Sequence, residues 1–290
     1  MSVEWHDISD PSDPELDRLA ERYQLHPLHI EDCRHRDQIA KIEENSGYLF
    51  VVLKPVETGE DQTLETSDLN IFVGRDFLIT VQEGGKGSAA RVVEHMRTAW
   101  RDLRADQACY RIMDGIVDSY LPILDRFSEV IDELGNEVLE KPAPSALARI
   151  FDTRRSLIQL RRVLGNTRDV AGHLQRTGSD LIGRDLWPFL RDLYDHLARN
   201  LDMVEIQRDL LNGALDIYLT SLANRTNQVM KVLTVLGTIA LPALIVSGLY
   251  GMNVEGLPFK NHPHAFTIVT GGVAALSAVF LAVLKLFHWL

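Results

Sequence analysis

The chain has 290 residues with 41 acidic side chains against 30 basic ones, a formal net charge of -11. That length holds a sizeable soluble core and something smaller beside it, and the acidic balance leaves no basic footprint for nucleic acid. With only two cysteines, Cys33 and Cys109, a disulfide framework is excluded and reduced thiols are expected.

Residues 1–106 read as a cytosolic α/β domain. The opening "MSVEWHDISDPSDPEL" has neither a basic n-region nor an apolar h-region, so no cleavable signal is expected. In "PELDRLAERYQLHPLHIEDC" Leu16, Leu19, Tyr23 and Leu28 fall at helix-like spacing, with acids near the start. His26, His29 and His35 lie close to Cys33 but not at zinc-site spacing, and they read as a helix surface. "GYLFVVLKPVE" and "SDLNIFVGRDFLITVQEG" read as strands, the second as a hairpin broken at "VGRD". "EGGKGS" lacks the spacing of a phosphate-binding loop and reads as a glycine-rich turn.

Residues 107–231 read as long cytosolic helices. "EKPAPS", from Glu140 to Ser145, joins two of them, and "RTGSDLIGRD" marks a second break. Beyond it Leu193, Leu197, Leu201, Val204, Leu211, Leu215, Tyr218, Leu222, Val229, Leu233 and Leu236 recur mainly three and four apart, with one skipped turn at Arg208. The stripe continues into an apolar run with no Pro or Gly cluster between, so one rod of roughly 85–90 Å is expected to join cytosol and membrane. A rod that long exceeds what an anchor requires and can transmit movement, which suggests a gate.

Residues 232–250 and 265–284 contain no charged residue, and each is long enough for a hydrocarbon core of about 30 Å. Both are expected to span the bilayer, separated by an outer loop at 251–264 and followed by a cytosolic tail at 285–290. Lys231 before the first span and Lys285 after the second put both termini in the cytosol of a multi-pass protein of the cell (inner) membrane. The expected fold class is thus an α+β cytosolic domain followed by long helices and two C-terminal transmembrane helices.

Two helices cannot enclose an aqueous path, so transport requires several chains around one axis. On the first span Asn227, Met230, Leu233, Gly237, Leu241, Leu244 and Gly248 share one face, a pattern that serves either a pore lining or ordinary close helix packing. No triad, zinc-hydrolase or nucleotide motif is visible, so an enzyme is not expected, nor any cofactor.

The first span ends in Tyr250, Gly251, Met252 and Asn253. This Tyr-Gly-Met-Asn between two terminal spans resembles the CorA family of magnesium transporters, and "LHPLHIEDC", "DLNIFVGRDFLITVQE", "RRSLIQLRRVLGNTRDV" and the stretch from "FLRDLYDHLARN" to "VLTVLGTIALP" are similar to that family's segments in order. The resemblance implies a funnel-shaped homopentamer with a pore lined by the first span. It makes Gly251, Met252 and Asn253 the selectivity filter, with Asn253 as a ring at the outer mouth. Met230, Leu233 and Leu241 match the family's hydrophobic gate, and Asn227 a polar ring on its cytosolic side. Mg²⁺ gives up its water reluctantly and neither span offers a carboxylate to replace it. A neutral amide ring above an apolar constriction therefore suits a hydrated ion. The membrane potential would drive uptake, at roughly 4.6 kcal/mol per divalent ion at about 100 mV.

Several positions depart from the family. Where many members read Met-Pro-Glu-Leu this chain has Leu257, Pro258, Phe259 and Lys260, with Glu255 still nearby to keep the mouth electronegative. His262 and His264 suit Zn²⁺ better than Mg²⁺, or else form a polar entry to the second span. Asp192 matches the helix-borne acid of the family's regulatory metal site, but its partner acid is missing early in the helix after "FLITVQE", where no carboxylate occurs before Glu94. Asp192 is then either a metal ligand or a solvated helix residue. Three readings stand: transport of Mg²⁺ with Co²⁺ as a surrogate, transport of Zn²⁺, or a non-conducting membrane-anchored scaffold.

Overall fold

The structure is a computed structural model that describes residues 3–35, 38–59, 63–84, 87–99, 103–140, 142–176, 178–252, 256–259 and 261–287. It divides into two compact units, residues 1–216 and 217–290.

In the first unit a five-stranded sheet has the order β1 (Glu4–Ile8), β7 (Phe77–Gln82), β6 (Leu69–Gly74), β3 (Tyr48–Leu53), β2 (Lys41–Asn45). β1 runs parallel to β7 and every other pairing is antiparallel. β4 (Val56–Thr58) and β5 (Leu64–Thr66) form a separate two-stranded ribbon. β3, β6 and β7 are buried at every residue, which is why they read as unbroken apolar runs: both faces of the sheet are covered. The hairpin at "VGRD" forms as expected, and at Gly74 a β-carbon would lie 2.2 Å from the Phe77 ring, so a larger residue there would have to displace that ring. The two edge strands went unnoticed in the sequence. "KIEEN" of β2 is charged and half-exposed, as edge strands tend to be, so it carries little apolar signal.

The N-terminal helical segment is two helices. α1 (Pro14–Tyr23) starts on Asp13, whose side chain accepts the Glu15 N–H at 2.8 Å, and stops at Gln24 in the left-handed region (φ 53°). α2 (Pro27–Arg34) restarts on His26. The apolar stripe therefore breaks after Tyr23: Leu16 and Leu19 pack under the sheet with Tyr48, Phe50 and Phe72, whereas Leu28 is 60% exposed. The surface reading of the histidines fails at His29, which is buried, stacks on Phe50 and lies 2.8 Å from the Tyr48 hydroxyl and 3.1 Å from Glu43.

The other face of the sheet carries helices. α3 (Gly87–Ala99) packs on α4 (Ala105–Asp118), and α4 lies against β6 and β7 through a face that includes Ile112, Met113 and Ile116. Tyr120 is fully buried and donates to the Lys54 carbonyl at 2.9 Å. α5 (Leu121–Glu140) and α6 (Pro144–Arg176) flank the "KPAP" break. A 3-10 turn (Arg184–Leu186) then leads into α7 (Trp187–Gly251), a single helix of 65 residues. Within the first unit Leu193, Leu197, Val204 and Leu211 of α7 are buried. The skipped turn is filled by Gln207, whose amide donates to the Leu124 carbonyl at 2.7 Å and to Ser128 at 2.8 Å. Farther along, Leu222, Val229, Leu233 and Leu236 are exposed.

Both cysteines are free and buried, and burial pushes the Cys33 thiol up and that of Cys109 to about 12. Neither offers a thiolate near neutrality. A maleimide added to folded protein at pH 7 is expected to leave both unmodified over hours and to label both once urea unfolds the first unit.

Candidate functional site

The second unit holds the end of α7 and the whole of α8 (Ala265–Leu286). Both helices are long and apolar enough to cross a membrane, and neither apolar stretch is buried within the chain. The two helices face each other across an apolar cleft of about 640 Å³, lined by Ile239, Ala243, Val246 and Tyr250 of α7 and by Phe266 and Val269 of α8. Gly237, Leu241, Leu244 and Gly248 sit two positions away from those α7 residues, about 200° round the helix. The face they share with Met230 and Leu233 therefore points away from α8. Met230, Leu233, Leu241 and Leu244 are 55–66% exposed. A β-carbon added at Gly237, Gly248 or Gly251 would meet nothing within 4 Å. Among the described residues, the small residues of this face thus have open space beside them.

Pro242 lies inside the span and has no N–H to give to the Thr238 carbonyl, so one backbone oxygen in the middle of the run lacks its helical donor. Gly251 closes α7 without a positive φ; among the described residues of the loop, Gly256 (φ 89°) and Phe259 (φ 60°) are left-handed. The Tyr250 hydroxyl donates to the Pro258 carbonyl at 2.5 Å and so ties the helix end to the loop. Met252 is exposed, and its N–H reaches the Leu249 carbonyl. Asn253, Glu255 and Lys260 lie outside the described residues. His262 accepts the backbone N–H of His264 on Nδ1 at 3.2 Å, and His264 occupies the N-cap of α8.

A second cluster lies in the first unit. Asp192 stands on α7, 3.6 Å from His196 one turn on. Its expected partner on α3 is absent, since that helix has no acid in its first turn. Carboxylates come instead from α4: ligand atoms of Asp114, Asp118 and His196 all lie within 4.8 Å of one another. The cluster is electronegative. The Asp114 carboxyl is held above its ordinary range, first by burial and then by the charge of Asp118. The neighbouring Tyr110 phenol is pushed up to about 12 by burial, with Asp114 and Asp192 adding to it. A cation placed among these groups would relieve both. Asp114, Asp118 and His196 were missed in the sequence, where each helix shows only an i,i+4 pair, "DGIVD" and "DLYDH".

Comparison with known proteins gives a consistent picture. The family model described as CorA-like Mg²⁺ transporter protein matches residues 2–286. The cobalt/magnesium transport protein CorA of Thermotoga maritima is 33% identical over 279 residues, covering 95% of this chain and 80% of that protein. Among solved structures, the complete CorA magnesium transporter of Methanocaldococcus jannaschii superposes with a TM-score of 0.86 at 25% identity, over 99% of this chain and 91% of that one. The ZntB cytoplasmic domain of Vibrio parahaemolyticus gives 0.64 at 13% identity over 77% and 90%, a likeness of fold alone.

Proposed function

The chain belongs to the CorA family, a family of transporters rather than enzymes, and from that premise we propose that it carries divalent cations across a membrane, with Mg²⁺ as the main cargo and Co²⁺ as a surrogate. The observation that carries this reading is the pair of charge-free runs, 232–250 and 265–284, on two helices long and apolar enough to cross a membrane, in a protein 33% identical to a cobalt/magnesium transport protein. The assembly is a homopentamer in the cell (inner) membrane, with both termini in the cytosol.

The face of α7 that points away from α8 lines the pore, and α8 meets lipid or a neighbouring chain. Asn253 rings the outer mouth beside Gly251 and Met252. Met230, Leu233, Gly237, Leu241, Leu244 and Gly248 form the apolar conduit, and Asn227 the polar ring at its cytosolic end. What supports this is the open space around Gly237, Gly248 and Gly251 and the absence of any charge from 232 to 250. Such a conduit passes an ion that keeps its water, and closes by narrowing and dewetting.

The test is flux into liposomes holding the purified protein, with Mg²⁺, Co²⁺ and Zn²⁺ compared with and without an imposed proton gradient. Mg²⁺ entry driven by voltage alone is expected. Zn²⁺ entry that needs the proton gradient would replace Mg²⁺ as the cargo and bring His262 and His264 to the mouth as ligands; no flux of any ion would leave a scaffold.

Asp114, Asp118 and His196, with Asp192 beside them, form a regulatory cation site on the same reading. Oxygen-rich donors suit Mg²⁺. A cation bound there at 100 times its Kd stabilises the first unit by about 2.7 kcal/mol. Mg²⁺ is therefore expected to raise the thermal midpoint of the full chain, and the Asp114→Asn/Asp118→Asn double variant to abolish that rise. An unchanged rise in the variant would remove the cluster from regulation.

A further inference from the structure

A third cleft, of about 330 Å³, lies between α5, α6 and the β4–β5 ribbon and shares no residue with either site above. Its volume is at the lower end of small-molecule sites, and its make-up is typical of them: an apolar surface with a few placed polar groups. The apolar part is Ile123 and Phe127 of α5 with Leu64 of β5. The polar part includes three arginines, Arg126, Arg149 and Arg155, the hydroxyls of Thr153 and Ser156, and one acid, Asp152.

Two features set this cleft apart from a chance surface hollow. Thr153 and Ser156 are 8% and 9% exposed, yet neither hydroxyl has a hydrogen-bond partner among the described residues. Thr167, Thr226, Thr234, Thr238 and Thr270 return their hydroxyls to the carbonyl four residues back. Thr153 and Ser156, one turn apart on α6, forgo that bond while lining the cleft, so they are available to a ligand.

The arginines are also available. Arg126 pairs with Glu129 at 2.8 Å, and Arg149 with Glu137 at 2.7 Å and Glu133 at 3.3 Å, half-exposed pairs of the kind that contribute little and exchange readily. Arg155 has no ion pair among the described residues. Of the three guanidinium groups, that of Arg155 is thus the one with no carboxylate on it among the described residues.

We propose that this cleft binds a nucleotide, its phosphoryl groups held by Arg126, Arg149, Arg155 and the two hydroxyls, and its base laid on Phe127 and Ile123. Guanidinium forks match phosphoryl oxygens in pairs, and a planar base finds a flat apolar partner in the Phe127 ring. Asp152 faces the same space and suits a sugar hydroxyl, which an anion without a sugar lacks.

The test is isothermal titration of the purified full-length protein with AMP, ADP and ATP, with inorganic phosphate and adenosine as controls. It is run in EDTA, so that binding does not pass through the cation cluster, and no ion flux is read. At least one nucleotide is expected to bind at least tenfold more tightly than either phosphate or adenosine. Arg155→Glu is expected to weaken it at least tenfold, and Thr153→Val/Ser156→Ala severalfold, with thermal midpoints within a few degrees of the parent. No saturable nucleotide binding, phosphate binding as tight as any nucleotide, or nucleotide affinity unmoved in both variants would each overturn the assignment. Because the readout is binding, a failure here leaves the transport reading standing, and the reverse also holds.

Discussion

Asn253→Ala is expected to reduce Mg²⁺ flux in liposomes to the protein-free background while the oligomer elutes unchanged on size exclusion. Between Lys231 and the end of the first span no side chain carries a charge, so along the proposed pore an ion would meet only neutral oxygens. In the pore proposed above, an amide ring would supply them without stripping the water that Mg²⁺ holds tightly. Hydrogen bonds to charged partners contribute about 1.5–3 kcal/mol each, so losing two from the ring lowers ion occupancy by at least about 100-fold. Asn253→Asp keeps the oxygens and adds charge, and is expected to retain flux with altered selectivity. Full flux in the alanine variant would show that the amide is not the filter. Loss of assembly in that variant would assign Asn253 to packing.

Lys54→Met is expected to destabilise the first unit by about 3–5 kcal/mol, the usual consequence of removing one partner of a buried ion pair. Lys54 and Asp68 meet at 2.6 Å with side chains 8% and 5% exposed. Asp68 also accepts the Gln38 N–H at 3.0 Å, so the pair pins β3, the entry to β6 and the segment after α2 at one point. For a unit of this size each kcal/mol moves the midpoint by about 2–4 °C, so a fall of roughly 6–20 °C is expected by circular dichroism. Lys54→Met/Asp68→Leu is expected to recover most of that loss, since an apolar pair avoids the cost of desolvating charge. A single-variant shift below about 2 °C would mean that water reaches the pair.

Much of the fold was legible because its signals are local. The break at "KPAP", the hairpin at "VGRD" and the two charge-free runs each depend on a few neighbouring residues, and backbone geometry or transfer energy acts on them directly. The division of the N-terminal segment into α1 and α2 was less legible. The apolar spacing continues past Tyr23, and the stop comes from a Gln in the left-handed region, a conformation that residue rarely announces. β1 and β2 were hidden for a related reason: edge strands pair through their backbones, and side-chain pattern says little about that.

The sequence by itself determined that the chain ends in two helices fit for a bilayer, since length and lack of charge suffice for that. It also carried the family, through Tyr250, Gly251, Met252 and Asn253 and the ordered segments around them. The tertiary structure decided which residues meet. Asp114 and Asp118 approach His196 although α4 and α7 are far apart in the chain, and His29 leaves the surface to stack on Phe50. The face of α7 bearing Gly237 and Gly248 turns away from α8, and Thr153 and Ser156 face a cleft rather than their own helix. Helix period says which residues share a face. Which face is covered, and by what, follows only from how the helices pack on a common core.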